Sequence, residues 1–140
     1  GADVAKALAL GADAISIGHS VLMALNCNKN IPESNYPEEI GVEPGYCYHC
    51  HTGRCPVGVA TQDPKLRARL DPDEAAERVY NFLHTLTIEA QLFARACGKT
   101  NIHSLEPEDL AALTMEASAM AAVPLAGTNY TVGVEDYHHL

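Results

Sequence analysis

Residues 1–18 read GADVAKALALGADAISIG, and this stretch predicts a helix, a tight turn and a strand in immediate succession. Residues 3–10 are rich in helix-forming side chains, with Asp3 placed to cap the start and Gly11 to end the helix in a left-handed conformation. Residues 14–18 are short, apolar and partly β-branched, which is typical of a fully buried strand.

A second helix is predicted over about residues 20–26, so that helix, turn, strand and helix follow one another as in a parallel α/β unit. A single strand needs neighbours on both sides for its backbone hydrogen bonds. The sequence also has no initiating Met. We therefore expect a fragment of a larger fold that is not an autonomous enzyme and is inactive alone.

The longest helix is predicted between Asp71 and Gly98. The run Asp71-Pro-Asp-Glu74 supplies an N-cap, a proline at the first helical position and a glutamate at the third. Apolar residues recur at spacings of three and four and define one buried face. They are Ala76, Val79, Leu83, Leu86, Ala90, Phe93 and Cys97. A shorter helix is predicted from residue 107 through 113 and on to about 120.

The composition predicts a soluble globular chain. Of 140 residues, 47% are hydrophobic and 19% charged, and no apolar run approaches the roughly 18 residues of a membrane span. Eighteen acidic and nine basic residues give a formal net charge of -9, which repels phosphate backbones and anionic membranes. We therefore expect no nucleic acid and no membrane partner and, without a secretion signal, a cytoplasmic location.

Three of the five cysteines form the array Cys47-x2-Cys50-x4-Cys55, while Cys27 lies upstream. A disulfide framework spreads cysteines along the chain, so this grouping favours a metal centre in a reducing compartment. Four thiolates suit a 4Fe-4S cluster, three suit a 3Fe-4S cluster, and zinc accepts four thiolates or three with one imidazole. On spacing alone, iron-sulfur and zinc are favoured equally.

The cysteines belong to a loop region of more than thirty residues, 27–58, whose chain entropy must be offset by an organiser such as a metal. His49 or His51 would be the nitrogen ligand of a zinc site. The glutamates between positions 33 and 43 are interpreted as a solvated loop. Cys97 is predicted to be a small buried hydrophobic residue and is left out of the cluster.

The turn Gly18-His19-Ser20 is a second candidate site. A glycine at the end of a strand that opens onto a helix exposes backbone amides that suit a phosphate group. A glycine that only turns the chain is the simpler interpretation of this signal. The residues themselves assign no catalytic side chain.

Two stretches resemble the FMN-binding domain of the glutamate synthase large subunit family. They are residues 1–18 and the run Cys50-His-Thr-Gly-Arg-Cys55-Pro-Val-Gly-Val-Ala-Thr-Gln-Asp-Pro64. The resemblance implies a TIM (β/α)8 barrel with FMN at its C-terminal face and an iron-sulfur cluster beside it. Residues 3–10 and 14–18 would be its seventh helix and eighth strand, and Gly18, His19 and Ser20 would hold the FMN phosphate.

The resemblance also implies a reaction and its partners. In that family glutamate forms from 2-oxoglutarate and ammonia through an imine, to which reduced FMN delivers hydride, with electrons arriving through iron-sulfur centres. Glutamine commonly supplies the ammonia in a separate amidotransferase domain. The implied partners are the N-terminal part of the barrel, the upstream substrate domains and an electron-donor subunit. Glutamate and a substituted relative such as N-methylglutamate both stay open as products.

The family's three cluster ligands, spaced C-x5-C-x4-C, would be Cys27, Cys50 and Cys55 if residues 28–46 contain an insertion. Cys47 then either joins as a fourth ligand or replaces Cys27. The implied division of the chain has four parts. They are the barrel end (1–26), the cysteine-rich cluster loop (27–63), a helical extension (64–121) and an irregular tail (122–140).

Two alternatives compete with this interpretation. The first is a zinc-organised binding module without catalytic activity, which has no need of a buried strand preceded by a helix. The second is a barrel oxidoreductase related to IMP dehydrogenase, which explains the turn after Gly18 but not Cys50 to Cys55. The sequence therefore favours the glutamate synthase type.

Overall fold

Helices make up the regular structure in a computed structural model of the chain, which describes residues 1–30 and 47–134. The α-helices of these residues are α1 (Ala2–Ala9), α2 (His19–Ala24), α3 (Pro64–Arg67), α4 (Pro72–Ala96) and α5 (Met115–Ala121). Short 3-10 turns lie at His49–His51, Ile102–Ser104 and Pro107–Asp109. Within the same ranges, the β-structure is one parallel bridge between Ala112 and Leu125.

The chain divides into two compact units. One consists of Gly1–Ser16 and Thr85–Leu140, and the other of Ile17–His84. Helix α4 contributes its first half to the second of these units and its last half to the first. None of the helices in the described ranges combines the length and the apolar character that crossing a membrane demands.

The buried strand predicted over residues 14–18 is not formed. Most of these residues are exposed, and Ile17 keeps 39% of its surface accessible. A strand requires a neighbour that takes its backbone hydrogen bonds. Among the described residues no segment pairs with 14–18, and the predicted α/β arrangement is replaced there by two helical units.

Two predicted helix stops are confirmed. Gly11 follows α1 with φ +98°, and its N–H donates to the Leu8 carbonyl at 2.9 Å. Gly98 follows α4 with φ +75°, and its N–H donates to the Arg95 carbonyl at 3.0 Å. Glycine adopts this left-handed conformation without a Cβ penalty, which explains why both helices end there.

Of the two predicted helix caps, one is right and one is wrong. Asp71 caps α4, since its Oδ1 accepts from the N–H groups of Asp73 at 3.0 Å and Glu74 at 3.2 Å. Asp3 does not cap α1, because that helix already begins at Ala2 and Asp3 lies inside its first turn. An acidic residue in that position still interacts favourably with the positive end of the helix dipole.

The buried side of α4 differs from the predicted face. Ala90 is buried as predicted, but Leu83 and Phe93 are 41% and 42% exposed, and Ala94, which lies outside the predicted face, is buried. Cys97, predicted to be buried, is exposed as well. The small side chain of Ala94 packs with residues of α1 in the core of its unit. That core consists of Ala5, Leu8, Ala9, Ala94 and Leu105.

The helix predicted from 107 to 120 is interrupted. The Ala112 N–H donates to the Pro124 carbonyl at 2.8 Å and is thereby removed from any helical bond. Helix α5 starts anew after Thr114, whose Oγ1 accepts from the Ala117 N–H at 3.1 Å. The parallel bridge therefore replaces the middle of the predicted helix.

Ser118 connects α5 to the segment that follows it. Its side chain is fully buried, and its Oγ donates to the Val123 carbonyl at 2.7 Å and accepts from the Val132 N–H at 3.0 Å. We expect Ser118→Ala to lower the free energy of unfolding by about 1–3 kcal/mol, because two backbone groups lose their partner. Urea denaturation of the variant and the wild type measures the difference.

The exposed Ser104 supplies the matched control for this substitution. Ser104→Ala is expected to change the free energy of unfolding by less than about 0.5 kcal/mol, as surface substitutions usually do. Equal denaturation midpoints for Ser118→Ala and Ser104→Ala would contradict the assigned role of Ser118.

Candidate metal centre

Four of the five cysteines line one cavity of about 440 Å³ in the unit of residues 17–84. They are Cys27, Cys47, Cys50 and Cys55. The remaining lining residues are mostly apolar and comprise His19, Leu22, Met23, Asn28, Val57, Val59 and Ala60. The structure thus brings together the four thiols that the sequence singled out, while Cys97 belongs to the other unit.

The end of α2 sets the position of Cys27. Asn26 adopts a left-handed conformation with φ +69°, and its N–H donates to the Met23 carbonyl at 2.8 Å. The Cys27 N–H then reaches back to the Leu22 carbonyl at 3.1 Å. These two bonds form a Schellman closure, in which asparagine is a common substitute for glycine. The backbone of Cys27 is therefore fixed by its own local sequence.

Cys55 belongs to a buried segment. Its side chain is 5% exposed, the following Pro56 is fully buried and Val57 is 2% exposed. Gly58 has φ +86°, and a Cβ on it would lie 2.6 Å from the Leu66 carbonyl oxygen. The segment thus packs so closely against α3 that only glycine fits at position 58.

A hydrogen-bonded turn joins Cys50 to Cys55. The Thr52 hydroxyl donates to the His49 carbonyl at 2.8 Å, and the Arg54 N–H donates to the Thr52 oxygen at 3.2 Å. Gly53 has φ +75°, and its carbonyl accepts a short hydrogen bond from the buried Thr61 hydroxyl. This network shapes the turn even though Cys50 itself is exposed.

Basic side chains connect the segments that carry the cysteines. Lys29 donates through Nζ to the Arg69 carbonyl at 2.6 Å, and the Arg69 guanidinium donates to the Pro56 carbonyl at 2.8 Å. No motif in the sequence had marked Lys29, Arg69 or Thr61 as part of this site. Asp63-Pro64, an N-cap followed by proline at the first helical position, is a signal that could have predicted α3.

The thiols influence one another electrostatically. Burial raises the pKa of Cys27, and the neighbouring Cys47, Cys50 and Cys55 raise it further because a second thiolate nearby is repelled. Ionising several of these thiols in one cavity is therefore unfavourable without a positive centre among them. A metal ion or cluster is such a centre, since it deprotonates the thiols that coordinate it.

The donor set fits an iron-sulfur cluster. Such clusters are held by cysteine thiolates, and an apolar surrounding limits the access of water. Across residues 1–30 and 47–134, no three His, Cys, Asp or Glu side chains stand close enough together to hold a single metal ion. His49 and His51, the candidate nitrogen ligands for zinc, do not line the cavity.

The turn Gly18-His19-Ser20 opens α2. The first helical bonds run from the Val21 and Leu22 N–H groups to the Gly18 carbonyl, at 3.0 and 3.3 Å. The N–H groups of His19 and Ser20 have no partner within the described part of the chain. Because His19 also lines the cysteine cavity, α2 contributes to both candidate sites.

The protein-family model described as "Conserved region in glutamate synthase" matches residues 1–32 and 39–100 of this chain. The chain belongs to the glutamate synthase family. The match includes the turn at residues 18–20 and all four cysteines of the cavity. The resemblance drawn from the sequence is therefore confirmed at the level of the family.

Curated members of the glutamate synthase family are similar to this chain over most of its length. It is 55% identical over 133 residues to the "Glutamate synthase large subunit-like protein" of Rhizobium meliloti, covering 95% of this chain and 30% of that protein. It is 40% identical over 104 residues to the "Archaeal glutamate synthase [NADPH]" of Methanocaldococcus jannaschii, covering 74% of this chain and 17% of that protein. No solved structure matches.

This glutamate synthase family member thus spans less than a third of the length of those two relatives. The helical units described above correspond to a region of a larger protein in each case. The insertion predicted over residues 28–46 and the glutamates between 33 and 43 lie largely outside the described residues, which omit 31–46.

Proposed function

We propose that this chain forms the cluster-binding part of an oxidoreductase that makes glutamate, or a substituted glutamate, from 2-oxoglutarate and ammonia or an amine. The cavity shared by Cys27, Cys47, Cys50 and Cys55 in a member of the glutamate synthase family carries the proposal. A 3Fe-4S or 4Fe-4S cluster and FMN are the proposed cofactors. When bound, they supply one-electron transfer and hydride transfer, respectively.

The thiols are the proposed cluster ligands. Cys55 lies on a buried segment and Cys27 on a closed helix end, so both are held before any metal arrives. Cys47 is half-buried and Cys50 is exposed, and both line the same cavity. Apolar neighbours such as Leu22 and Val57 lower the polarity around these thiols.

The start of α2 is the proposed contact with the FMN phosphate. The amides of His19 and Ser20 point out of the first helical turn without a partner among the described residues, and Gly18 leaves open space where a Cβ would stand. Amides in this arrangement favour a phosphate oxygen. The role rests on backbone atoms, so the His19 imidazole needs no part in it.

The proposed setting of residues 1–26 is the end of a (β/α)8 barrel. The absence of backbone hydrogen-bond partners for residues 14–17 in the described part of the chain is what a strand shows without its neighbours. The rest of the barrel, the upstream substrate domains and an electron-donor subunit are the proposed partners. Residues 27–63 would form the cluster loop, 64–121 a helical extension and 122–140 a tail, in a reducing cytoplasm.

Anaerobic reconstitution of the full chain with ferrous iron and sulfide tests the proposal. We expect about three or four iron atoms per chain with a similar amount of acid-labile sulfide, as cubane and three-iron clusters require. Electron paramagnetic resonance then distinguishes the two types. The same experiment with zinc present shows which metal the chain prefers.

Two results of this reconstitution would contradict the proposed cluster. One zinc ion retained per chain without labile sulfide would overturn the cluster and support a zinc-organised binding module instead. Failure to bind either metal would overturn the proposed cluster, and with it the proposed electron transfer.

A further inference from the structure

We propose that Arg69 is a positioning residue for the cluster, acting through the two chain segments that carry Cys27 and Cys55. This inference rests on the proposed function, because it concerns how the same thiols are held. Arg69 touches neither thiol. It interacts with a neighbour of each of them and so fixes the distance between them.

The first contact is made by the guanidinium group. Arg69 Nη1 donates to the Pro56 carbonyl at 2.8 Å, and Pro56 is fully buried directly after Cys55. A buried carbonyl without a donor is unfavourable, so the loss of this bond would drive the Pro56 peptide to reorient. That carbonyl belongs to the peptide bond between Pro56 and Val57, and Cys55, which directly precedes Pro56, would shift with it.

The second contact is made by the backbone of Arg69. Its carbonyl accepts from Lys29 Nζ at 2.6 Å, and Lys29 lies two residues after Cys27. The carbonyl belongs to the turn that follows α3, where unpaired carbonyl oxygens attract cations. Arg69 therefore joins the Cys27 segment, through its backbone carbonyl, to the Cys55 segment, through its guanidinium group.

The place of Arg69 is itself well defined. Its N–H donates to the Leu66 carbonyl at 3.1 Å, and the Asp63 carboxylate caps α3 by accepting from the Leu66 N–H at 3.1 Å. Gly58 packs against the same end of α3. A rigid support of this kind is what allows an outer residue to orient metal ligands.

The test compares iron retention in variants of the full chain after anaerobic reconstitution. We expect Arg69→Ala to release iron to a chelator about 10–100-fold faster than the wild type, which is the usual cost of losing an outer-shell partner. Its electron paramagnetic resonance spectrum is expected to change, because the ligand geometry relaxes. Arg69→Lys keeps the positive charge but replaces the planar guanidinium by a single ammonium group. We therefore expect a rate of iron release between those of the wild type and Arg69→Ala.

Two further variants separate the contacts. Lys29→Ala removes the bond to the Arg69 carbonyl and is expected to accelerate release in the same direction. Arg67→Ala is the matched control, since Arg67 is exposed and lies two residues away on α3, and we expect release within about twofold of the wild type. Far-ultraviolet circular dichroism checks that each variant keeps its helices.

The outcomes distinguish a failure of the proposed function from a failure of the positioning role of Arg69. A wild-type chain that takes up no cluster overturns the proposed function. A wild-type cluster that Arg69→Ala releases at the wild-type rate, with an unchanged spectrum, overturns only the positioning role. If Arg69→Ala loses its helices, Arg69→Lys decides: altered release and spectrum with intact helices support positioning, and wild-type values of both overturn it.

Discussion

Replacing Cys55 by serine is expected to leave the chain without an iron-sulfur cluster, whereas replacing Cys97 leaves the cluster content unchanged. Cys55 is 5% exposed within the cavity, while Cys97 is exposed and belongs to the other unit. The pKa of a serine hydroxyl is far above that of a thiol, so serine is a weaker ligand for iron. Iron and labile sulfide per chain measure the difference after reconstitution.

The other cysteines of the cavity extend this experiment. Cys50→Ser is expected to lose the cluster in the same way, because Cys50 and Cys55 are the pair that matches the family spacing. Single replacements of Cys27 and Cys47 then show which of them is a ligand, since the variant that keeps a wild-type spectrum has lost no ligand. Full iron content in both Cys50→Ser and Cys55→Ser would contradict the assignment.

Gly58→Ala is expected to lower the free energy of unfolding by more than about 2 kcal/mol. The left-handed conformation of Gly58 alone costs a residue with a Cβ about 1–2 kcal/mol. In addition, the new Cβ would lie 2.6 Å from the Leu66 carbonyl and 3.1 Å from the Leu70 nitrogen, so backbone has to move. Urea denaturation of the cluster-free chain measures the loss.

Gly53→Ala is the matched control. Gly53 also has a positive φ of +75°, but a Cβ there meets nothing within 4 Å. Its substitution is therefore expected to show the conformational cost alone, about 1–2 kcal/mol. Equal losses for the two alanine variants would mean that the close contact between Gly58 and α3 does not exist in solution.

Features that depend on neighbouring residues could be predicted from the sequence. The stops at Gly11 and Gly98 and the cap at Asp71 need only a few adjacent residues to form, and all three are present. The grouping of Cys47, Cys50 and Cys55 belongs to the same class, because their spacing is short enough to bring them to one cavity.

Features that depend on distant partners could not be predicted. Residues 14–18 have a strand-like composition, but a strand forms only when another segment supplies its hydrogen bonds. The buried face of α4 was misplaced in part, because the packing of α1 with Ala94 is not encoded in the period of α4 itself. The contacts of Arg69 span 13 and 40 positions, a separation at which no sequence pattern operates.

The Schellman closure before Cys27 has a consequence for the order in which the cavity assembles. The bonds that place Cys27 close within five residues, a step that takes well under a microsecond in a helical peptide. The bond that joins the Cys27 segment to the Cys55 segment spans the 40 positions from Lys29 to Arg69, and its loop-closure entropy delays it. Folding therefore presents one thiol early and completes the set late, so that iron meets a full cluster site only in a chain that has already folded.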